Sequence, residues 1–462
     1  METREAYMVN DLGNGDCGKG QMTNYLVRTR RAHTVIRIGG PQAAHNVYAD
    51  DGRHHTFSQF GSGSFMPNVQ TFLSRFMLLS PLAMMAEAAT LRRKGVSDIL
   101  RRTFISANAL TITPFQRAAN RLRELARGDA RHGSVGMGIG ETVKDSIDDP
   151  TMALRAGDLL DIPLTGRKLR MIWEKKRAEI VATMHGHPDA AQYLSYFEDR
   201  RMIGMVLELF SEFARTAQIV PDEHLKEILG RGTVVFESSQ GVRLDEWRGF
   251  HPYTTYGTCT FEPAMTLLDE CGHDGERHRI GVVRAYAVRH GPGPFMTEDA
   301  ELTAALPDAH NVMHDWQRQF RVGHFDCVAT RYAIAACGGV DALAVTCLDR
   351  IHEAGDCWSW VDDYELLPQD GDGALFERRN PHSQNLVSDI KLGPPRDLDH
   401  QERLAKRLLA VHANVRRSKG SDAYETEAER HVRPLQHLLR VPVRFTSFGP
   451  TAKDVQERSR NS

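Results

Sequence analysis

The chain has 462 residues, of which 41% are hydrophobic and 26% are charged, and its formal net charge is −2. This balance is typical of a globular protein with a sizeable core, and it gives no support for a general role on nucleic acid or at a membrane surface. No apolar run reaches membrane-spanning length, and the first residues lack the pattern of a signal peptide. The seven cysteines are scattered without a C-x-x-C pair, which disfavours a zinc site or a disulfide framework. We therefore expect a cytoplasmic protein.

An apolar run at residues 6–10 predicts a buried strand that leads into a glycine-rich loop. Gly15, Gly18 and Gly20 let the backbone approach a ligand closely, and a helical pattern begins at Met22. A strand, a glycine-rich turn and a helix N-terminus together present backbone N–H groups to phosphate oxygens. The spacing is similar to a P-loop, but Gly20 stands where a P-loop has the Ser or Thr that holds Mg²⁺. A purely structural glycine turn is the alternative.

Two charged side chains lie in the same loop. Lys19 supplies a mobile positive charge, whereas Asp16 places a carboxylate where phosphate is expected. A carboxylate there is unfavourable unless it holds a metal ion or accepts a proton. We therefore expect Asp16 to take part in catalysis or metal binding.

Polar or glycine-bearing segments follow most of the later predicted strands. These strands are predicted at 34–38, 233–237, 280–288, 342–346 and 441–445. Because the carboxyl ends of parallel strands meet at one edge of a sheet, we expect one long crevice along a large, mostly parallel α/β sheet. His45 is a candidate general acid or phosphate ligand, with a satisfied buried histidine as the alternative. Gln240 could read a base edge or brace a loop, and the glycine-rich segment 132–141 could contact an anion or a ribose.

Helical periodicity is clearest at 81–94, at 114–125 and over a long stretch at about 165–230. Apolar stripes in the long stretch indicate core packing, and no linker separates it from the rest of the chain. We expect one α/β domain over residues 1–455, with this stretch as a helical subdomain, and a flexible tail at 456–462.

Taken in order, these segments resemble the motifs of the adenylosuccinate synthetase family over nearly the whole chain. The family motifs G-D-E-G-K-G-K, G-G-H-N-A-G-H-T and F-E-G-A-Q-G are matched at 15–21, 39–46 and 236–241. The other matches are G-R-G-I-G at 136–140, Y-P-Y-x-T at 251–255, A-Y-x-x-R-x-G-x-G-P-F at 285–295, R-x-G-W-L-D at 321–326, T-K-L-D at 346–349 and S-T-G-P at 447–450.

The resemblance implies a ligase that works in two steps. A loop aspartate removes the proton from purine N1 while GTP phosphorylates the 6-oxygen, and the amino group of L-aspartate then displaces that phosphate. The resemblance makes Asp16 the base and a Mg²⁺ ligand, and the Gly40 carbonyl a second ligand. It makes His45 and Lys19 the groups that stabilise the transferred phosphoryl group. Asp349 would accept hydrogen bonds from guanine N–H groups.

The resemblance also implies the binding contacts and the partners. The nucleotide-binding residues would be Gly15, Gly18, Gly20, Gln42, Ser134, Gly136, Gln240, Thr255, Arg318, Asp349, Ser447, Gly449 and Pro450. Arg318 and Arg321 would bind the carboxylates of the amino acid. The expected partners are a purine mononucleotide, GTP or ATP, and L-aspartate or another amine donor. A homodimer is expected because the family is homodimeric.

Several positions depart from the family pattern. Cys17 replaces a glutamate, Met137 an arginine, and Cys347 the lysine that packs on the guanine ring. Segment 146–150 is acidic where the family sends an arginine into its dimer partner, and Arg155 is the nearest candidate. The chemical centre is therefore retained, whereas the residues that set specificity have changed.

Three interpretations follow from the sequence. The first is a ligase acting on an IMP-like mononucleotide. The second is an enzyme of the viral type that uses dGMP, although those relatives characteristically lack the loop aspartate that Asp16 provides. The third is a nucleotide sensor, which would not need a general base, or a nucleotide hydrolase without ligase activity.

Overall fold

The computed structural model describes residues 4–184, 187–308, 311, 316–317, 319–354, 358–369, 371–378, 385–417 and 427–459. These residues form a mixed α/β structure around one large sheet, as the sequence predicts. Within these ranges, no helix combines the length and the apolar character needed to cross a membrane.

The strands and helices are numbered in chain order. The strands are β1 (Glu5–Asp11), β2 (Thr34–Ile38), β3 (His45–Tyr48), β4 (His54–Phe57), β5 (Gln70–Leu73), β6 (Leu78–Leu79), β7 (Thr103–Ser106), β8 (Leu110–Thr111), β9 (Gln218–Val220), β10 (Val234–Ser238), β11 (Glu276–Arg284), β12 (Ala287–His290), β13 (Phe320–Gly323), β14 (Phe325–Asp326), β15 (Ala342–Thr346), β16 (Ser359–Glu365), β17 (Phe376–Arg378), β18 (Leu386–Ile390), β19 (His412–Arg417), β20 (Val443–Ser447) and β21 (Val455–Glu457). The helices are α1 (Lys19–Thr29), α2 (Pro81–Arg93), α3 (Pro114–Arg127), α4 (Ile139–Asp148), α5 (Ile162–Met184), α6 (Ala191–Glu198), α7 (Arg201–Thr216), α8 (His224–Gly230), α9 (Glu262–Glu270), α10 (Ala300–Ala305), α11 (Cys327–Ala336), α12 (Asp372–Leu375), α13 (Leu398–Leu408) and α14 (Glu427–Leu439).

The central sheet has ten strands in the order β21-β20-β15-β11-β1-β10-β2-β5-β7-β9. All neighbouring pairs are parallel except β20 and β21. The register pairs Asp11 with Val282 and Arg284 with Thr346, so the loops after β1, β11 and β15 leave the sheet at the same edge. This arrangement confirms the predicted large, mostly parallel sheet and brings these loops to one edge of it.

Strand β1 shows why the sheet is continuous and buried. Tyr7 and Val9 belong to the apolar cluster that includes α1, whereas Ala6 and Met8 belong to the cluster that includes α8 and α9. Since side chains alternate between the faces of a strand, both faces must be apolar when helices cover both. The sequence therefore reads as an unbroken apolar run.

The predicted strand at 280–288 is two elements. β11 ends at Arg284, and after a bend the chain forms β12, which pairs antiparallel with β13 outside the central sheet. An apolar run contains no signal for a bend that lacks glycine and proline, so the sequence pattern joined the two strands.

The long helical stretch is also more varied than predicted. Helices α5, α6 and α7 share a core with α3 that includes Trp173, Phe197 and Phe210. After α7, β9 pairs with β7 and forms the edge of the central sheet, and α8 then packs on that sheet. Because β9 has only three residues, it is too short for an alternation of apolar and polar side chains to be recognised in the sequence.

The chain end corrects the prediction of a tail from residue 456. β21 pairs antiparallel with β20, and Glu457 forms ion pairs with Arg30 and Arg444. Residues up to Ser459 are described, while 460–462 lie outside the described residues. The short strand is polar at two of its three positions, so hydrophobicity could not indicate it.

Candidate active site

The glycine-rich loop after β1 leads into α1 as predicted. Gly15 and Gly18 have φ angles of 95° and 93°, a conformation that other residues adopt only with strain. Gly18 is the N-cap of α1, and no side chain caps the helix. A Cβ at Gly20 would lie 2.8 Å from the Asn46 carbonyl oxygen, so glycine is needed for this close approach. The open N-terminus of α1 suits phosphate oxygens.

Asp11, the last residue of β1, organises this loop. Its carboxylate accepts hydrogen bonds from the backbone N–H groups of Gly13 at 2.7 Å and Cys17 at 2.9 Å. It also pairs with the Lys19 ammonium at 3.2 Å, and both side chains are almost fully buried. Asp11 is not among the residues predicted from the sequence, although an acidic residue at the end of a buried strand, directly before a glycine-rich loop, is a recognisable signal.

The positive charge of Lys19 is therefore balanced by the carboxylate of Asp11. Its ammonium group donates to the Gln240 carbonyl oxygen as well as to Asp11. Lys19 therefore connects the loop after β1 with the loop after β10. Its predicted contact with phosphate must be made from this shared position.

Asp16 lies in the same loop with φ 61°. Its side chain keeps 32% of its surface accessible, and its carboxylate is 3.6 Å from the His290 Nε2. Desolvation by the loops around it raises the pKa of the Asp16 carboxyl above its usual value, while the charges of His290, Lys19 and Arg284 oppose that rise. A reachable carboxylate with a raised pKa suits a general base.

His45 starts β3 and is buried beside α1. Its Nδ1 is 2.6 Å from Glu237 Oε1, and the carboxylate of Glu237 also pairs with Arg37 at 3.4 Å and accepts from Ser62. Burial, together with Arg37 and Lys19, lowers the pKa of His45 to about 4 against the opposing effect of Glu237. Burial alone would raise the pKa of Glu237, but Arg37, His45 and Ser62 lower it to about 2.

The short contact with Glu237 favours one tautomer of His45, while the Arg37 guanidinium lies farther from the same Nδ1, at 3.3 Å. Because the carboxylate of Glu237 can only accept a hydrogen bond, Nδ1 carries the proton of the neutral ring. The other ring nitrogen, Nε2, is then unprotonated; it is buried and has no hydrogen-bond partner among the described residues. Glu237 is a second residue that the sequence analysis did not single out, although it lies in a quoted motif.

The loop after β2 brings other predicted residues together. Gln42 donates to the Thr255 hydroxyl at 3.1 Å, which joins two residues predicted to bind the nucleotide. The Gly40 carbonyl accepts from the Ser239 hydroxyl at 3.0 Å. A carbonyl oxygen has a second lone pair, so Gly40 can still bind a cation.

The loop that carries Ser134 and Gly136 is held by α3. Asn120 accepts from the Ser134 hydroxyl at 3.0 Å and from the Gly138 N–H at 3.1 Å, and Arg121 donates to the Gly136 carbonyl at 3.0 Å. On its other side the loop meets the segment after β12, where a Cβ at Gly133 would lie 2.9 Å from a proline ring atom. The loop therefore borders the region of Asp16 and His290.

The residues predicted to bind the amino acid are only partly described. Arg318 lies outside the described residues. Arg321 pairs with Glu298 at 2.6 Å and donates to the Gly291 carbonyl at 2.6 Å. Arg321 thus supports the segment after β12 and is already engaged by an acid.

The opposite end of the crevice holds the residues predicted for the donor base. Gln21 on α1 donates to the Ser447 hydroxyl at 2.8 Å and to the Gly449 carbonyl at 2.6 Å, which ties the loop of Pro450 to the phosphate loop. Burial raises the pKa of the nearby Asp349 carboxyl above its usual value. At Cys347, the sulfur accepts from the Arg284 guanidinium at 3.2 Å.

An open helix N-terminus, a reachable carboxylate and a carboxylate-held histidine share one sheet edge, an arrangement that suits the transfer of a phosphoryl group from a nucleotide. Residues 9–456 match the family model of adenylosuccinate synthetase. The chain is 28% identical over 447 residues to the adenylosuccinate synthetase of Marinomonas sp. (strain MWYL1), covering 94% of each chain. It is 31% identical over 342 residues to that of Thioalkalivibrio sulfidiphilus, covering 72% of this chain and 75% of the relative.

Solved structures agree in fold. Fully ligated adenylosuccinate synthetase from Plasmodium falciparum superposes with a TM-score of 0.76 at 16% identity, covering 98% of this chain and 99% of that one. The cyanophage S-2L succinoaminodeoxyadenylate synthetase, bound to dGMP and dATP, gives a TM-score of 0.59 at 16% identity, with coverages of 98% and 95%. The chain belongs to the adenylosuccinate synthetase family. This confirms the predicted fold class and the ligase class, which joins IMP and aspartate through a C–N bond with GTP and Mg²⁺.

Proposed function

We propose that this protein makes an adenylosuccinate-type product from IMP and L-aspartate, with GTP as the phosphoryl donor. The observation that carries the proposal is the placement of a reachable carboxylate, Asp16, and a carboxylate-held histidine, His45, on loops at one edge of the sheet. A sensor or a simple nucleotide-binding protein would need neither group.

In the first step, Asp16 takes the proton from N1 of the purine. The 6-oxygen then attacks the γ-phosphorus, and the bond from that phosphorus to the β,γ-bridging oxygen breaks to release GDP. A carboxylate that can reach N1 is able to accept this proton as a general base. Such transfers depend mainly on positioning and on neutralising charge.

His45 supplies part of that neutralisation. In the nucleotide-free protein its ring is neutral, because burial keeps the pKa at about 4. A phosphoryl group beside Nε2 would favour protonation of that nitrogen, and Glu237 would stabilise the resulting imidazolium through Nδ1. An aspartate performs the same service for the histidine of a serine-protease triad.

The available donors fit Mg²⁺, which prefers carboxylate and carbonyl oxygens. Asp16 and the Gly40 carbonyl would hold the ion, and the ion would neutralise phosphate charge when bound. Lys19 adds a positive charge that Asp11 keeps in place.

In the second step, the amino group of aspartate attacks C6, and the C6–oxygen bond breaks to release phosphate. The nitrogen loses a proton as the new C–N bond forms. We propose Arg318 and Arg321 as cations for the aspartate carboxylates. For Arg321 this requires sharing its guanidinium with Glu298.

Two features bear on the choice of nucleotide. Asp349 favours GTP, because a carboxylate can accept two hydrogen bonds from the adjacent N1–H and 2-amino groups of guanine, whereas adenine has an unprotonated N1 and no 2-amino group. Cys347 stands in place of the lysine that packs on the guanine ring in the family pattern. This replacement weakens the preference for guanine. Asp16 disfavours dGMP as the acceptor, since its carboxylate would crowd a 2-amino group.

We also propose that the protein is a cytoplasmic homodimer, on the support of the family resemblance alone. Size-exclusion chromatography with light scattering measures the mass directly. A monomer at micromolar concentration would contradict the dimer.

The test of the proposed chemistry is Asp16→Asn, which keeps the shape of the side chain and removes the base. We expect turnover to fall by about 10²-fold or more, because general-base catalysis contributes on that scale, with IMP binding largely retained. Glu208→Gln is a control with the same charge change on an exposed face of α7. Near-normal turnover of Asp16→Asn would remove Asp16 as the base.

A further inference from the structure

A group of arginines and aromatic rings borders the loop of Ser134 and Gly136. The Arg121 guanidinium lies 5.3 Å from the Tyr193 ring centroid and 5.6 Å from that of Trp316. Arg131 approaches the Trp316 ring to 5.6 Å. The two rings meet edge to face at 5.9 Å. Two cations therefore share one indole.

Carboxylates do not balance the charge at Arg121. Its hydrogen bond goes to the Gly136 carbonyl, and across the described ranges no acid pairs with it or with neighbouring Arg117. Burial and the positive charge of Arg121 lower the pKa of Arg117, which indicates that the two cations repel each other. Ring stacking orients a guanidinium but does not cancel its charge.

The cluster touches both substrate loops. Gly136 packs so closely on Arg121 and Trp316 that a Cβ would lie 3.2 to 3.3 Å from their atoms. Trp316 lies in the segment that the resemblance assigns to the amino acid, and that segment continues to Arg321 through β13. An anion bound here would contact the mononucleotide loop and the amino-acid segment together.

Two other candidates for substrate anions that the structure describes are engaged elsewhere. Arg155, the nearest substitute for the family's arginine from the dimer partner, donates to the Asn108 carbonyl at 2.7 Å. Arg321 is paired with Glu298. The substrates nevertheless carry a 5′-phosphate and two carboxylates that need cations.

We propose that Arg121, aided by Arg131 on the shared Trp316 ring, binds a substrate oxyanion, either the 5′-phosphate of the mononucleotide or a carboxylate of the amino acid. This proposal rests on the proposed function, since that function supplies both anions. A planar guanidinium held by stacking can offer two parallel N–H donors to either group.

The test compares Arg121→Gln, Arg121→Lys and the wild type in steady-state assays with IMP, GTP and L-aspartate. We expect Arg121→Gln to raise the KM for one substrate by about 10-fold or more, with a smaller effect on kcat, because a hydrogen bond to a charged group contributes on that scale. A raised KM for IMP identifies the phosphate as the ligand, and a raised KM for aspartate identifies the carboxylate. Arg121→Lys, which keeps the charge, should recover part of the loss.

Arg170→Gln on the exposed face of α5 is the matched control for the loss of one positive charge. We expect the control to keep its KM values for both substrates within twofold of the wild type. The proposal is overturned if Arg121→Gln does the same. Calorimetric titration of IMP, inosine and L-aspartate into the same folded variants separates the proposal from the proposed function. If the wild type makes no product, weaker binding of IMP or aspartate to Arg121→Gln still supports the anion site, and unchanged binding of both overturns it.

Discussion

The buried pair of Asp11 and Lys19 should behave as one unit in the free energy of unfolding. The ammonium and the carboxylate are 3.2 Å apart, and their side chains are 2% and 0% exposed. Removing either partner leaves a charge buried without its counter-charge, which typically costs about 3–5 kcal/mol. We therefore expect Asp11→Asn and Lys19→Met each to lower the free energy of unfolding by about this amount.

The double variant leaves no buried charge at this position. It should be destabilised by less than the sum of the two single variants, with a coupling free energy of about 2–3 kcal/mol. Urea denaturation of all four proteins without nucleotide, followed by tryptophan fluorescence and circular dichroism, measures this cycle. Effects that add to within about 0.5 kcal/mol would show that the two buried charges do not stabilise each other, because independent sites are additive within that range.

Three further predictions follow from the site. Glu237→Gln should lower kcat by about 10²-fold with little change in KM, since His45 then loses the carboxylate that stabilises its charged form; unchanged kcat would show that His45 acts without Glu237. The folded protein should lose stability as pH falls from 6.5 towards 4, because His45 has a pKa of about 4 when folded and the unfolded chain binds its proton first. This group alone accounts for about 3 kcal/mol over that window, and His45→Gln should flatten that part of the urea-denaturation profile; equal slopes in both proteins would contradict the low pKa. Asp349→Asn should raise the KM for GTP by about 10-fold or more and leave that for ATP nearly unchanged, and a wild type that prefers ATP would argue against the guanine contact.

The sequence predicts the edge of the sheet well, because each strand there is a buried apolar run followed by a polar or glycine-bearing loop. This pattern alone places the loops of Asp16, His45 and Gln240 directly after strands β1, β2 and β10. Their assignment to particular chemistry came from the resemblance, since an isolated histidine or glutamine has several ordinary structural roles.

Other parts of the site depend on contacts that no sequence pattern reports. Glu237 meets His45 only because β10 lies beside β2, although the residues are far apart in the chain. Arg121 reaches the loop of Gly136 from the third turn of a helix, where it resembles any exposed arginine. The position of Asp11 before the loop can be recognised in the sequence, but its ion pair with Lys19 forms only in the folded structure.

The most direct test of the central claim is a mass-spectrometric product screen. The purified protein is incubated with Mg²⁺, L-aspartate and GTP or ATP, and with IMP, dIMP, GMP or dGMP in turn. We expect a succinyl adduct with IMP and GTP, together with GDP and phosphate. The absence of an adduct with every mononucleotide, while the nucleotides still bind, would contradict it.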